Sequence, residues 1–175
     1  MPRASAMVTE RYRRFFTYWT PDPARGEGFT QALITVDGQQ TPLYDAASAV
    51  NRDWLQPAGQ QLKPLVSVSV QHANDTPLPP GTTPFSPGDY LTSASGSAAI
   101  LGLFRQATDD GTRWLLVTNR DPDHAATVRL GINRQTVRSV SRFVPPAGRY
   151  AGQGSPASLD VHLGAGSAAL YRLSV

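Results

Sequence analysis

The chain has no cysteine, a single lysine (Lys63) and only two glutamates, Glu10 and Glu27, in 175 residues. Without cysteine there are no disulfides, no thiolate metal sites and no cysteine nucleophile. Lys63 lies outside any glycine-rich loop, which excludes a phosphate-cradling P-loop. No apolar run reaches the roughly 18 residues of a membrane span, so no membrane partner is expected. The N-terminal stretch is basic but has no apolar centre, so no signal peptide is expected; the compartment stays open. His72, His124 and His162 stand far apart and form no H-x-H or H-E-x-x-H set, and no metal or other cofactor is expected. There is no G-x-S-x-G nucleophile elbow. Gly152-Gln153-Gly154 is not followed by a helical pattern and is no nucleotide fingerprint.

Turn residues are abundant instead. Fifteen Gly and fifteen Pro exceed ordinary usage, and 40% hydrophobic content suffices for a core. The length allows one domain, or one domain with an appendage. The formal net charge is +3, carried almost wholly by arginines spread along the chain. Arg11, Arg13 and Arg14 interleave with Tyr12 and Phe15. That cluster reads as a helix face leading into a buried strand, and no nucleic-acid partner is expected.

Hydrophobic periodicity divides the chain. Phe15–Thr20 reads as an aromatic strand stopped by Pro21-Asp22-Pro23, and Phe29–Val36 as a β-prone run ending at the turn dipeptide Asp37-Gly38. Thr41 is a candidate N-cap with Pro42 at the first helical position. Leu43, Ala47, Val50 and Trp54 then recur at helical spacing, which predicts a helix over Thr41–Gln56 with that stripe buried and with Pro57 and Gly59 ending it. From Leu65 the period becomes two: Val66, Val68 and Val70 alternate with Ser67, Ser69 and Gln71, a half-buried strand. The proline-rich stretch Asn74–Gly88 carries no period and reads as a surface crossing or linker. Further strands are predicted over 98–106, 112–119, 125–132, 136–143, 158–163 and 168–173. Strands at this spacing, separated by turns such as Asp109-Asp110-Gly111 and Asp121-Pro122-Asp123, indicate a small antiparallel sandwich.

Candidate chemistry is sparse. Glycoside hydrolysis needs two opposed carboxyl groups, and most aspartates here fall in turn sequences, where Asx hydrogen bonding accounts for them. Asp121-x-Asp123-His124 reads as a turn before it reads as a cation site. Glu27 lies in the loop just past the aromatic strand, where a ligand contact is one reading and a solvated loop the other. Tyr18 and Trp19 close that strand. Flat aromatic faces stack on sugar C–H surfaces, so this pair is a candidate sugar platform. Alternation sends Phe16 and Tyr18 to one face and Phe15, Thr17 and Trp19 to the other, so one of the two sets is core.

Two stretches carry a resemblance. RFFTYWTP, a loop, and ALITVDGQQTPLYDAASAVNRDWLQPAGQQLKPL together resemble the last barrel strand and last helix of TIM-barrel glycoside hydrolases of the β-galactosidase-like kind, with Asp37, Gly38, Thr41, Pro42, Tyr44, Val50 and Asn51 on matching positions. The run GLF…DDGTRWLLVTNRD…LDVHLGAGSAALYRL resembles the β-sandwich that follows such barrels. The resemblance implies a mainly β fold: a strand–helix remnant of a (β/α)8 barrel over residues 1–58, then an antiparallel β-sandwich over 59–175. It implies Tyr18 and Trp19 on the substrate side of the former barrel mouth, and a secreted or periplasmic parent enzyme. The family's acid/base and nucleophile lie on barrel strands with no counterpart in this chain, so no catalytic residue carries over. The expected reading is a non-catalytic C-terminal or accessory part of a glycoside hydrolase; a free-standing carbohydrate-binding or adaptor sandwich is the alternative. Carbohydrate is the expected ligand. Exposed Phe15, Phe16, Tyr18 and Trp19 would favour self-association or pairing with the missing barrel portion.

Overall fold

The computed structural model describes residues 33–35 and 37–175. The aromatic strand, Tyr18, Trp19 and Glu27 lie outside the described residues. The chain divides into two units between Lys63 and Pro64.

In the first unit, Thr35–Gln39 closes a turn in which Gly38 sits at φ 79°, with Thr35 N–H donating to the Gln39 carbonyl at 2.8 Å. This is the turn that Asp37-Gly38 announces. Thr41 then caps helix α1 (Pro42–Val50): its hydroxyl oxygen accepts from the Tyr44 N–H, with Pro42 in the first turn. The helix does not stop at Pro57. A π-helical turn over Asn51–Leu55 follows, then α2 (Gln56–Leu62). Proline in an α-helix interior lacks its N–H and crowds the carbonyl four residues back. The wider turn, in which Gln56 N–H reaches back to the Asn51 carbonyl, relieves that conflict just ahead of Pro57. The expected stripe is also corrected. Leu43 and Val50 are exposed, each at 41%, while Tyr44, Ala47 and Trp54 are half-buried and Ala58 and Leu62 are buried. The inward face is displaced by one residue at Tyr44, and the π-turn changes the phase again beyond Val50.

The second unit is mainly β. Nine strands are arranged as β1 (Leu65–Ala73), β2 (Leu91–Gly96), β3 (Ala99–Gln106), β4 (Thr112–Asn119), β5 (Ala126–Ile132), β6 (Ser139–Val144), β7 (Arg149–Gly152), β8 (Ser158–Leu163) and β9 (Ala168–Ser174), with a 3-10 turn over Pro145–Ala147. They form an antiparallel six-stranded sheet, β1-β3-β4-β9-β6-β7, and a three-stranded sheet, β2-β5-β8. β8 lies over β4 and β9. The core between the sheets is built by Leu101, Leu115, Val117, Tyr171 and Leu173 from one side and Val128, Leu130, Leu159 and Val161 from the other. The opposite face of the large sheet carries Phe104, Trp114, Leu116, Phe143 and Leu170, which are buried too. The large sheet is therefore apolar on both faces, which is why β4 reads Trp114-Leu115-Leu116-Val117 without alternation.

Two strands escape the period-2 pattern. β2 (LTSASG) and β7 (RYAG) have little apolar content; they are strands because they pair with β5 and β6. β1 shows a reversal. Its register slips between Ser67 and Ser69, so Val68 is an extra, bulged residue. Val66 and Val68 are exposed. Beyond the bulge Ser69, Gln71 and Ala73 are paired with Leu103, Leu101 and Ala99, so the polar members of the alternation are the ones on the inner face.

Candidate functional site

The crossing from β1 to β2 is held by a buried ionic knot. The side chains of Asp75 and His72 are 1% and 7% exposed; His72 Nδ1 lies 2.6 Å from Asp75 Oδ2. Arg120 donates to the other oxygen, Asp75 Oδ1. Both carboxylate oxygens are thus engaged, which a buried charge requires. The backbone adds to this anchor: His72 N–H donates to the Thr83 carbonyl at 2.8 Å, and Phe85 N–H donates to the His72 carbonyl at 2.7 Å. Asn74, in the left-handed region at φ 60°, donates from its amide to the Ser97 carbonyl at 3.2 Å. The proline-rich segment is consequently an ordered crossing rather than a loose linker, and it delivers Phe85–Leu91 onto the sandwich.

The Asn119-Arg120-Asp121 run explains itself in the same way. The Asn119 amide donates to the carbonyls of His124 (2.7 Å) and Gly164 (2.8 Å), and its oxygen accepts from Asp121 N–H at 2.9 Å. Asp121 Oδ1 accepts from the N–H groups of Asp123 and His124 at 2.8 and 3.1 Å. Backbone donation from Asp123, foremost, and the His124 ring hold the Asp121 carboxyl below its ordinary range. Asp109 and Asp110 likewise accept from Gly111 and Thr112 N–H. The Asx-turn reading of these aspartates holds.

The crossing creates a cleft. The cleft opens beside the core, on the inner face of β1 and β3. There the space is bounded by Ser69 and Gln71 of β1, Leu101 and Leu103 of β3 and Leu115 of β4, and is closed by Phe85–Leu91, leaving a cavity of about 200 Å³. Tyr90 forms a fixed wall. Its hydroxyl accepts from Arg113 Nε at 2.9 Å, and the guanidinium carbon lies 5.2 Å from the ring centroid. Arg113 is itself clamped by Asp109, at 2.6 and 2.7 Å. That hydrogen bond is the main reason the Asp109 carboxyl lies below, and the Arg113 guanidinium above, its ordinary range. The Tyr90 carbonyl accepts from Asn133 N–H at 3.0 Å.

One carboxylate, Asp89, lines this cleft. Asp53, Asp75, Asp109, Asp121 and Asp160 are each paired with a cationic or imidazole partner. The sequence-based candidates Tyr18, Trp19 and Glu27 lie outside the described residues and are not brought to this site or away from it. Sequence reasoning missed the cleft because Gln71 was read as an outward strand position and Asp89 falls just past the proline-rich stretch, outside any assigned element. The one local signal was Phe85 and Tyr90 among prolines. No family model matches the chain, and neither the curated proteins nor the solved structures contain a significant match to it.

Proposed function

We propose that this chain is a non-catalytic accessory part of a glycoside hydrolase, made of the last strand and helix of a (β/α)8 barrel followed by a C-terminal sandwich. The order of sequence motifs supports this, as does the Asp37-Gly38 turn leading into a Thr41-capped helix. The non-catalytic part of the reading rests on the sequence, in which the resembled family's two carboxyl-bearing barrel strands have no counterpart; the cleft of the second unit is lined by one carboxylate, Asp89. Hydrolysis of a glycoside needs an opposed pair about 5–9.5 Å apart.

The second reading is a free-standing carbohydrate-binding or adaptor sandwich. The cleft favours it, since polar side chains there border an apolar floor. An in-frame barrel-coding segment directly upstream of Met1 would favour the first reading over the second. The test of the first is a panel of chromogenic galactosides, glucosides and xylosides with the whole chain and its Glu27→Gln variant. No turnover is expected from either. Turnover lost in Glu27→Gln would mean a catalytic acid in the loop after the aromatic strand, and turnover retained in it would mean one elsewhere; either result overturns the reading.

A further inference from the structure

We propose that the cleft between β1, β3 and Phe85–Leu91 binds a single neutral pyranose ring. The proposal rests on the carbohydrate reading above and gives it a site that no motif in the sequence marks.

The first argument is the state of the polar groups. Side chains elsewhere in the second unit are heavily committed: Asp75, Asp109, Asp121 and Asp160 are ion-paired, and Asn119 makes three hydrogen bonds. Gln71 and Asp89 have no side-chain partner among the described residues, yet both line the cavity. Gln71 is half-buried on the inner face of the large sheet. No side-chain polar atom among the described residues is both buried and unpartnered, so solvent reaches this amide and a ligand hydroxyl can replace that water. The β1 bulge turns Gln71 inward where an alternating strand would have placed a valine.

The second argument is the two-sidedness of the space. Ser69 and Gln71 edge an apolar floor of Leu101, Leu103 and Leu115 on the same sheet face, and Asp89 stands on the segment that closes the space. A pyranose is two-sided in the same sense, with a C–H face and an edge of hydroxyls. An acyl chain would leave the Gln71 amide unpaired. An amide and a carboxylate together offer both donors and acceptors to neighbouring hydroxyls. Phe85 and Tyr90 add aromatic surface suited to C–H contact, and the Asp109–Arg113 clamp fixes the Tyr90 ring in advance. Preorganisation of this kind lowers the ordering cost of binding.

Size and charge narrow the ligand. At about 200 Å³ the cavity is below the roughly 300–1,000 Å³ of drug-sized sites, so it takes one ring and not an oligosaccharide. The uncompensated Asp89 carboxylate disfavours sugar acids and sugar phosphates.

The experiment is a titration of the whole chain, with leucine methyl groups labelled for NMR. The probes are methyl β-galactoside, methyl β-glucoside, methyl β-xyloside, methyl β-galacturonide and benzylamine. We expect at least one neutral glycoside to shift the Leu101, Leu103 and Leu115 methyls saturably, and the galacturonide to leave them unmoved. Gln71→Leu and Asp89→Asn should each weaken binding about tenfold or more. Asp89 is exposed, so its variant keeps the test valid if Gln71→Leu fails to fold. The site is overturned if no neutral glycoside saturates these signals, if binding survives both variants unchanged, or if benzylamine binds there more tightly than every sugar. Sugar-induced shifts confined to other residues would also overturn the cleft, while leaving the carbohydrate reading standing. The hydrolase-part reading falls separately, on the turnover assay.

Discussion

Asp75 bridges His72 and Arg120 with a side chain only 1% exposed, so one buried carboxylate ties the end of β1 to the turn after β4. Removing it would strand two polar groups that have been ordered around it. Breaking a buried pair costs about 3–5 kcal/mol. Arg120 is partly solvated, at 37% exposure, which favours the lower figure. Asp75→Ala should lower the melting midpoint by about 10 °C. In Asp53→Ala, which removes the exposed Arg52–Asp53 pair, the midpoint should not move measurably. Equal effects in the two variants would refute a structural role for the buried knot.

Trp114 donates its indole N–H to the Tyr150 hydroxyl at 3.0 Å, on the second apolar face of the large sheet. Arg172 covers the Tyr150 ring, its guanidinium carbon 4.7 Å from the centroid. Tyr150→Phe keeps the ring and the cation contact and removes only the acceptor. It should cost about 1 kcal/mol and shift the Trp114 indole proton signal, with the rest of the spectrum retained.

Two glycines should respond in opposite directions to alanine. Gly96 sits at φ +98°, and a Cβ there would run into the Thr127 carbonyl oxygen. Gly96→Ala should destabilise the sandwich by more than about 1 kcal/mol. Gly59 lies within α2, where a methyl group would meet no other element among the described residues. Gly59→Ala should stabilise the helix by about 0.5–1 kcal/mol. Denaturant midpoints followed by circular dichroism distinguish the two.

The pH profile follows from the paired carboxylates. Asp109 and Asp160 are held below the ordinary range chiefly by hydrogen bonds from Arg113 and Arg129, and Asp121 chiefly by the Asp123 N–H. A lowered carboxyl contributes stability above its unfolded value, near 4, and loses it as pH falls through the folded value. Burial raises the Tyr150 phenol. That contribution is complete below the unfolded value, near 10, and is lost as pH rises through the folded one. Stability should therefore be flat between about pH 5 and 9 and fall on both sides. Asp109→Asn should make the acid limb shallower, and Tyr150→Phe should make the alkaline limb shallower while Tyr171, also raised by burial, keeps the rest of it, in unfolding midpoints measured against pH.

Much of the fold was legible locally. β4 and β8 span the residues their sequence runs predict, and β3, β5 and β9 differ by a residue at one end, because alternation or a continuous apolar run between turn residues reports burial directly. The Thr41-Pro42 start of α1 is a matter of the first turn's own donors and could be read from two residues. Tertiary structure decided what depends on partners. β2 and β7 are strands only because β5 and β6 supply their hydrogen bonds. A π-turn carried the helix past Pro57. The bulge at Val68 exchanged the faces of β1, exposing valines and turning Gln71 inward. The cleft belongs to that second class: Gln71 and Asp89 are eighteen positions apart, and only the knot at Asp75 and the crossing it anchors bring them to one cavity. Period and capping are properties of neighbours in the chain, whereas a bulge, a sheet edge and a cleft are set by which strands meet.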